Sequence, residues 1–543
     1  MVFARRSTTL LAAIITSCAM VLSLTACTSD NKTVVDGQTT VTSNSAGGVA
    51  VFTPSDGITL NQQTPLNKWA KLVPDLAKAL ADAGFKKGDI DHTTSDSLAK
   101  QSRAIQDFVV DHLSNNTTDD SGIAIAPDNM TLLVAPVVEA DASTRQYGDY
   151  VSQNLSTNDA TDGEATSDGE SSEDDSSKDD SSNTESDSTA SDEQAQAVDR
   201  LVSSLKLAKE SGMHVVLLGN SIEGYKPDAF VKFSDAQTIG KLQAEKMVSK
   251  LKLDKASKDN PKYIEVLLPY TAVDEKGNAN DSTFAQEAFR GIWQVLGSYY
   301  QKGVVESPSG TLDGKSTEND WQAVAYDAAK EGSTAKVLDK RLAKTDGQST
   351  LTRIDGIITM NDYIASEVVK ELDDLGYTGS AADINPQITI SGIVGNITGK
   401  KDLSRDAVPD PIKSPENDNA NDSSSSDDDA GKDTSASDKD RDSQWPLVTG
   451  YGAYVSNIPS IVNGKQWMTG MEDRQTIATD IAQACAKLNK NEALNSMPSI
   501  RNSEVGGVKK IPTISEPLLA VSASNLKSAL IDPGYISLAD AGL

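Results

Sequence analysis

Residues 356–365 read Gly356-Ile357-Ile358-Thr359-Met360-Asn361-Asp362-Tyr363-Ile364-Ala365, and this stretch decides the fold. A short apolar, β-branched run over 356–359 predicts a buried strand. The pair Asn361-Asp362 breaks it with residues whose side chains cap helices. From Ile364 an amphipathic pattern predicts a helix to residue 375. A strand passing through a polar turn into a helix is the unit from which parallel sheets are built.

The same rhythm runs outward in both directions. Strands are predicted over 48–52, 122–126 (closed by Pro127), 214–218, 230–233, 263–268, 388–391 and 447–450. Helices are predicted from Trp69 to a stop at Gly84, through Leu98–Leu113 positions, and over 198–209, 239–251, 284–299, 323–343 and 364–375, with a Thr283/Gln286 capping box. Such alternation calls for parallel sheets covered on both faces by helices, and so many strands call for two lobes. Which of 388–391 and 447–450 lines a cleft stays open. In folds of this kind ligands sit beyond the carboxyl ends of strands. The residues to read are therefore 53–56, 127–129, 219–221, 234–235, 269–270, 360–362 and 450–452. Asn361 and Asp362 lead as ligand contacts, since a planar amide or carboxylate serves vicinal hydroxyls, with helix capping the competing reading. Asn220, Asp235, Asn129 and Tyr451 follow from strand-end position alone. Trp69 and Trp321 are read as core or hinge packing, with sugar stacking the alternative.

The chain has 543 residues, 50 basic against 79 acidic side chains, and a formal charge of −29. Residues 156–193 hold 14 acids and one lysine; residues 414–443 hold 10 acids and three basic side chains. These two Ser/Asp-rich tracts account for −20 of the charge and show no apolar periodicity, so both are expected to be disordered insertions. Residues 418–422 lack the Gly and closing Glu of a calcium loop. The acidity excludes nucleic acid as a partner. Three His and three Cys without metal or redox spacing give neither a metal site nor a cofactor. Phosphate cradles and nucleophile elbows are absent: Gly450-Tyr451-Gly452 lacks the third glycine of a dinucleotide loop. No carboxylate pair stands out for glycoside cleavage, so no catalytic residue is assigned and a surface glycosidase is a rival without support.

Arg5 and Arg6 precede an apolar stretch that ends Leu24-Thr25-Ala26-Cys27. Charged start, short apolar run and small-residue finish mark a secretory signal over 1–26. The small residues before Cys27 resemble a bacterial lipobox, which implies lipidation of Cys27 and anchoring at the extracytoplasmic face of the cell membrane. Residues 27–46 are then expected to form a flexible tether. Cys485, within a helical pattern, is read as a small buried hydrophobe.

Several stretches together resemble the xylose- and multiple-sugar-binding proteins of bacterial ABC importers. They are AFVKFSDAQTIGKLQAE (229–245), Asp320-Trp321-Gln322, IITMNDYIA (357–365), SIVNGKQWMT (460–469), GIAIAPDN (122–129) and the end of the chain from 518. The resemblance implies a type I periplasmic-binding fold: α/β, two doubly wound parallel-sheet lobes joined by three crossovers. It implies an N-terminal lobe over 47–230, a C-terminal lobe over 231–465, and returns over 466–512 and 513–543. It further implies capture of a sugar by hinge closure without catalysis, an ABC permease as partner, and a monomer. The chain departs from the family at three strand ends, where Gly219-Asn220, Pro269-Tyr270-Thr271 and Tyr451-Gly452 replace charged or polar contacts. A divergent ligand, or a non-transport envelope lipoprotein serving a sensor, is the alternative these departures raise.

Overall fold

A computed structural model describes residues 32–35, 38–41, 46–55, 65–115, 125–138, 144–150, 153–156, 185–273, 280–328, 330–343, 351–381 and 443–543. Strands β1 (Lys32–Val35) and β2 (Gln38–Val41) pair antiparallel, Lys32 opposite Val41, and belong to a unit of their own. Their alternating Thr/Val pattern around Asp36-Gly37 is a strong hairpin signal in sequence. It lies inside the stretch read as a tether.

The second unit, from Ser45 onward, is built around two sheets. It begins with β3 (Gly48–Pro54), α1 (Trp69–Asp82), β4 (Ile90–Ser95), α2 (Leu98–Asn115), β5 (Met130–Val134) and β6 (Asn154–Leu155). There follow α3 (Glu185–Glu210), β7 (His214–Leu218), β8 (Ser221–Ile222) and β9 (Ala229–Lys232). Next come α4 (Ala236–Leu251), β10 (Lys262–Val266), β11 (Leu268–Pro269), α5 (Thr283–Gln301), β12 (Val305–Glu306), α6 (Trp321–Val324) and β13 (Ala325–Tyr326). Then α7 (Ser333–Arg341), β14 (Gly356–Ile358), α8 (Asp362–Leu375), β15 (Leu447–Val448), α9 (Ile458–Val462) and β16 (Met468–Met471). The chain returns as α10 (Arg474–Leu488), β17 (Ile500–Val505) and β18 (Val508–Ser515), and crosses again to β19 (Leu519–Ser522).

The first sheet has the order β17-β18-β9-β7-β5-β3-β4, parallel throughout except for β17 on β18. The second has the order β12-β10-β14-β15, all parallel. A parallel bridge from Tyr451 to Gly470 carries it on to β16, which pairs antiparallel with β19. In each sheet the strand order reverses beside the first strand, at β3 and at β10, which are switch points where a crevice opens at the carboxyl ends. Alternation along the strands covers both faces of the first sheet. Val49, Val51, Val216 and Leu218 pack with α1 and α10, while Ala50, Phe52, Val215 and Leu217 pack with α2 and α3. The α/β, doubly wound architecture expected from the sequence is what the structure shows. The chain passes between the sheets at 233–235, 472–473 and 516–518.

Some expectations change. Residues 122–124 of the strand expected at 122–126 lie outside the described residues; beyond it, Pro127–Asn129 form a 3-10 turn leading into β5 at Met130–Val134, a fully buried run. The single helix over 323–343 is broken. Ala325-Tyr326 pairs with β11, and α7 restarts only after Gly332 in the left-handed region, φ 71°. Arg341 of α7 reaches the buried Glu265 of β10 at 3.4 Å and the Val324 carbonyl at 2.9 Å, which holds the break in place. α3 starts at Glu185, so nine residues of the first acidic tract are helical, extending a helix whose Val198, Leu201 and Leu205 are buried. At the start of α5, Asp281 accepts from the Thr283 amide and Gln286 donates to the Ser282 hydroxyl, so the N-cap is Ser282, one residue before the Thr283 of the expected Thr283/Gln286 box. The strand over 388–391, Cys27 and the rest of the acidic tracts except Ser156 and Ser443 fall outside the described residues; β14 is flanked by β15. Among the described residues no helix is long and apolar enough to cross a membrane.

Candidate functional site

The carboxyl end of β14 is strained. Met360, fully buried, sits in the left-handed region at φ 68°, a conformation that costs a non-glycine residue about 1–3 kcal/mol. Gln243 of α4 holds it by donating to the Met360 carbonyl at 2.9 Å, while Thr449 donates to the Gln243 oxygen at 2.6 Å. The twist delivers Asn361 and Asp362 to the first turn of α8. Asn361 Oδ1 accepts from the Ile364 amide at 2.9 Å, and its Nδ2 donates to Gln146 Oε1 at 3.1 Å.

Asp362 has no exposed surface. Its Oδ1 accepts from Gln466 Nε2 at 2.7 Å; its Oδ2 accepts from the Tyr454 amide at 2.9 Å and the Thr469 hydroxyl at 2.8 Å. Burial pushes the carboxyl up to about 6 in spite of these donors. The carboxylate thereby knits α8 to the turn into α9 and to β16 with the residues before it. Gly450 is required beside it, because a Cβ there would stand 2.1 Å from Asp362 Oδ1.

Tyr451 lies where the lobes' crossings meet. Its hydroxyl bonds the Ser234 hydroxyl and donates to Glu472 Oε1 at 3.3 Å; the Ser234 amide donates to the same oxygen at 2.6 Å. Ser234 belongs to the first crossing and Glu472 to the second. Burial pushes the Glu472 carboxyl up to about 7 and the Tyr451 phenol well above its ordinary range. Glu472 was not legible in the sequence, because only the crossing buries it.

Of the remaining sequence-nominated residues, Asp235 and Asn220 spend their hydrogen bonds inside the chain. Asp235 caps α4, accepting from the Thr238 amide at 2.7 Å, and pairs with Lys232 at 2.9 Å. Burial opposes its charge, but the Thr238 and Lys232 bonds outweigh it and hold the carboxyl below the usual range. Asn220 accepts from the Gln153 amide at 3.0 Å and donates to the Pro136 carbonyl at 2.9 Å, bracing two strand-end loops. Asn129 is exposed at the amino end of β5, away from the ligand end, and so leaves the set. Trp69 is core, edge-on to Tyr150 and Phe233. Trp321 is half-buried and meets Tyr270 edge-to-face at 5.1 Å, beyond the end of β11, with Asp327 bonded to Thr271 alongside. Cys485 is fully buried, and burial pushes its thiol up. A cavity of about 770 Å³ lined by His214, Asp228, Asn491 and Arg501 lies at the amino ends of the first sheet's strands.

Asp235 thus stands in the first crossing and Tyr451 joins the first to the second, while Asn361 and Asp362 stand at the end of β14 and Asn220 at the end of β7. All five point their hydrogen bonds at the protein itself.

No protein-family model and no curated protein matches the chain. Solved structures do resemble it. A Clostridium phytofermentans ABC transporter solute-binding protein with bound β-D-glucose is 17% identical over 91% of this chain and 99% of that one, TM-score 0.44. A Chloroflexus aurantiacus carbohydrate transporter solute-binding protein with D-glucose is 17% identical over 92% and 98%, TM-score 0.44. A Bacillus halodurans solute-binding protein with myo-inositol is 11% identical over 90% and 98%, TM-score 0.36.

Proposed function

We propose that the chain is an extracytoplasmic solute-binding lipoprotein of a carbohydrate ABC transporter, which captures a sugar or sugar-like solute between two lobes by hinge closure. One observation carries the reading: two doubly wound parallel sheets, each with its own switch point, are joined by three backbone crossings, at 233–235, 472–473 and 516–518. Such a connection permits rotation of one sheet body against the other, and a solute touching both favours the closed form. The half-buried Trp321–Tyr270 pair beyond β11 supplies an aromatic face, and the Asn361 amide beyond β14 a hydroxyl partner. Lipidation of Cys27 holds the protein beside its permease. Binding without catalysis is the action proposed; Asp362 and Glu472, carboxyls that burial pushes up to about 6 and about 7, are both sealed from solvent.

A second reading keeps the fold but assigns a divergent ligand or a membrane sensor partner. It is favoured by the hydrogen bonds that Asn361, Asp362, Asn220, Asp235 and Tyr451 spend inside the chain. Calorimetry against pentoses, hexoses, cyclitols and oligosaccharides decides between them: saturable binding of a monosaccharide supports the first reading, and silence across the whole panel supports the second. Cys27→Ala releasing the protein from the membrane fraction tests the anchor.

A further inference from the structure

Five consecutive residues of the loop between β5 and β6 touch both sheet bodies. On one side, Gln146 Oε1 accepts from Asn361 Nδ2 at 3.1 Å, and the Gln146 carbonyl accepts from the Tyr454 hydroxyl at 2.7 Å. Tyr147 is 1% exposed and joins the core of the second sheet, its ring 4.8 Å from Phe284 and 6.3 Å from Tyr451. On the other side, Asp149 accepts from Lys68 Nζ at 3.0 Å and the Trp69 amide at 3.1 Å, while its own amide donates to the Asn67 carbonyl at 2.8 Å. Tyr150 bonds the Lys68 carbonyl and stacks on Phe233 at 4.8 Å. Between the two halves stands Gly148, at φ 95°, where a Cβ would lie 2.6 Å from the Asn67 carbonyl oxygen.

We propose that residues 146–150 are an internal strap that holds the two sheet bodies closed without a solute and occupies the position on Asn361 that a solute would take. The inference rests on the two-lobed, hinge-closing reading above. Closure is favoured by whatever contacts both bodies, and here the chain supplies those contacts itself. The Gln146 side-chain oxygen presents to Asn361 an acceptor of the same kind as a sugar hydroxyl. A solute must displace it, and its apparent affinity falls by the fraction of molecules in which the strap is released. Gly148 allows the reversal of direction that a side chain would block.

Hydrogen–deuterium exchange of the full mature chain in detergent tests this, using Asp149→Ala and Gln146→Ala. Each variant cuts the strap at one end, and neither removes an apolar side chain from a core. Without solute, the wild type is expected to protect 360–365 and 451–456. Asp149→Ala, at the far end, should speed exchange there about tenfold, while β7 stays protected. Gln146→Ala should transmit the reciprocal change to 67–70. The proposal is overturned if each variant alters only its own neighbourhood, or if the wild type already exchanges 451–456 as fast as the variants. Should no solute add protection to any of the three proteins while the transmitted changes persist, the strap stands and the solute-capture reading falls.

Discussion

Asp362 and Glu472 make the stability of this molecule depend on pH in a definite direction. Both are neutral acids in the folded chain at pH values where the unfolded chain has lost their protons, so folding binds protons between the two pKa values. For Glu472 the window runs from its ordinary 4.5 to about 7; for Asp362 it runs from 3.8 to about 6. Their stabilisation is full below each window and is lost as pH rises through it. The Glu472 contribution is on the order of 3 kcal/mol. Glu472→Gln keeps an acceptor for the Ser234 amide and removes the titration. Urea unfolding from pH 4.5 to 8 should show the wild type weakening relative to this variant up to pH 7, then running parallel. A constant difference at all pH values would remove Glu472 from the account. Asp362→Asn presents an NH2 group to donors on either side, Gln466 or the Tyr454 amide, and should cost about 1–3 kcal/mol in the same assay at pH 8.

Among the elements, α4 and α5 pack unusually closely. A Cβ on Gly291 would stand 2.0 Å from the Gln237 carbonyl oxygen, and one on Gly240 would stand 2.2 Å from that of Ala288. Glycine to alanine inside a helix is ordinarily stabilising by about 0.5–1 kcal/mol. Here Gly291→Ala should destabilise by about 1–3 kcal/mol or more, because the helices must separate. A rise in melting temperature would contradict the packing. The helices and strands that read most clearly in the sequence were those with one unambiguous apolar face, such as α1 with Trp69, Leu72, Leu76 and Leu80, or the run His214–Leu218. β4 was not legible, because Asp91, His92, Thr93 and Thr94 are exposed on an edge strand and carry no apolar alternation. The break of 323–343 escaped notice because its cause, the buried Glu265–Arg341 pair, joins residues far apart in sequence. Asn361 and Asp362 were found at a strand end, as their spacing suggested. That they serve the protein's own loops depends on Gln466, Thr469, Tyr454 and Gln146, whose convergence no local pattern announces.

At the scale of the whole molecule, closure and recognition compete for the same groups. Asn361 serves both the cap of α8 and the strap, so if a solute takes the place of Gln146 on it, as proposed, releasing Gln146 should tighten solute binding and loss of Asn361 should weaken it. If the chain serves an importer, as proposed, lobe closure without solute would also leave the permease less able to tell loaded from empty protein, and the strap would bear on transport as well as affinity. The most direct measurement is a calorimetric titration of monosaccharides and cyclitols into the wild type, Gln146→Ala and Asn361→Ala, each first shown to be folded by its thermal transition. The account predicts one-to-one binding of at least one such solute, tighter in Gln146→Ala and weaker by about tenfold or more in Asn361→Ala. Equal affinities in all three proteins, or no heat from any solute even with the strap cut, would contradict it.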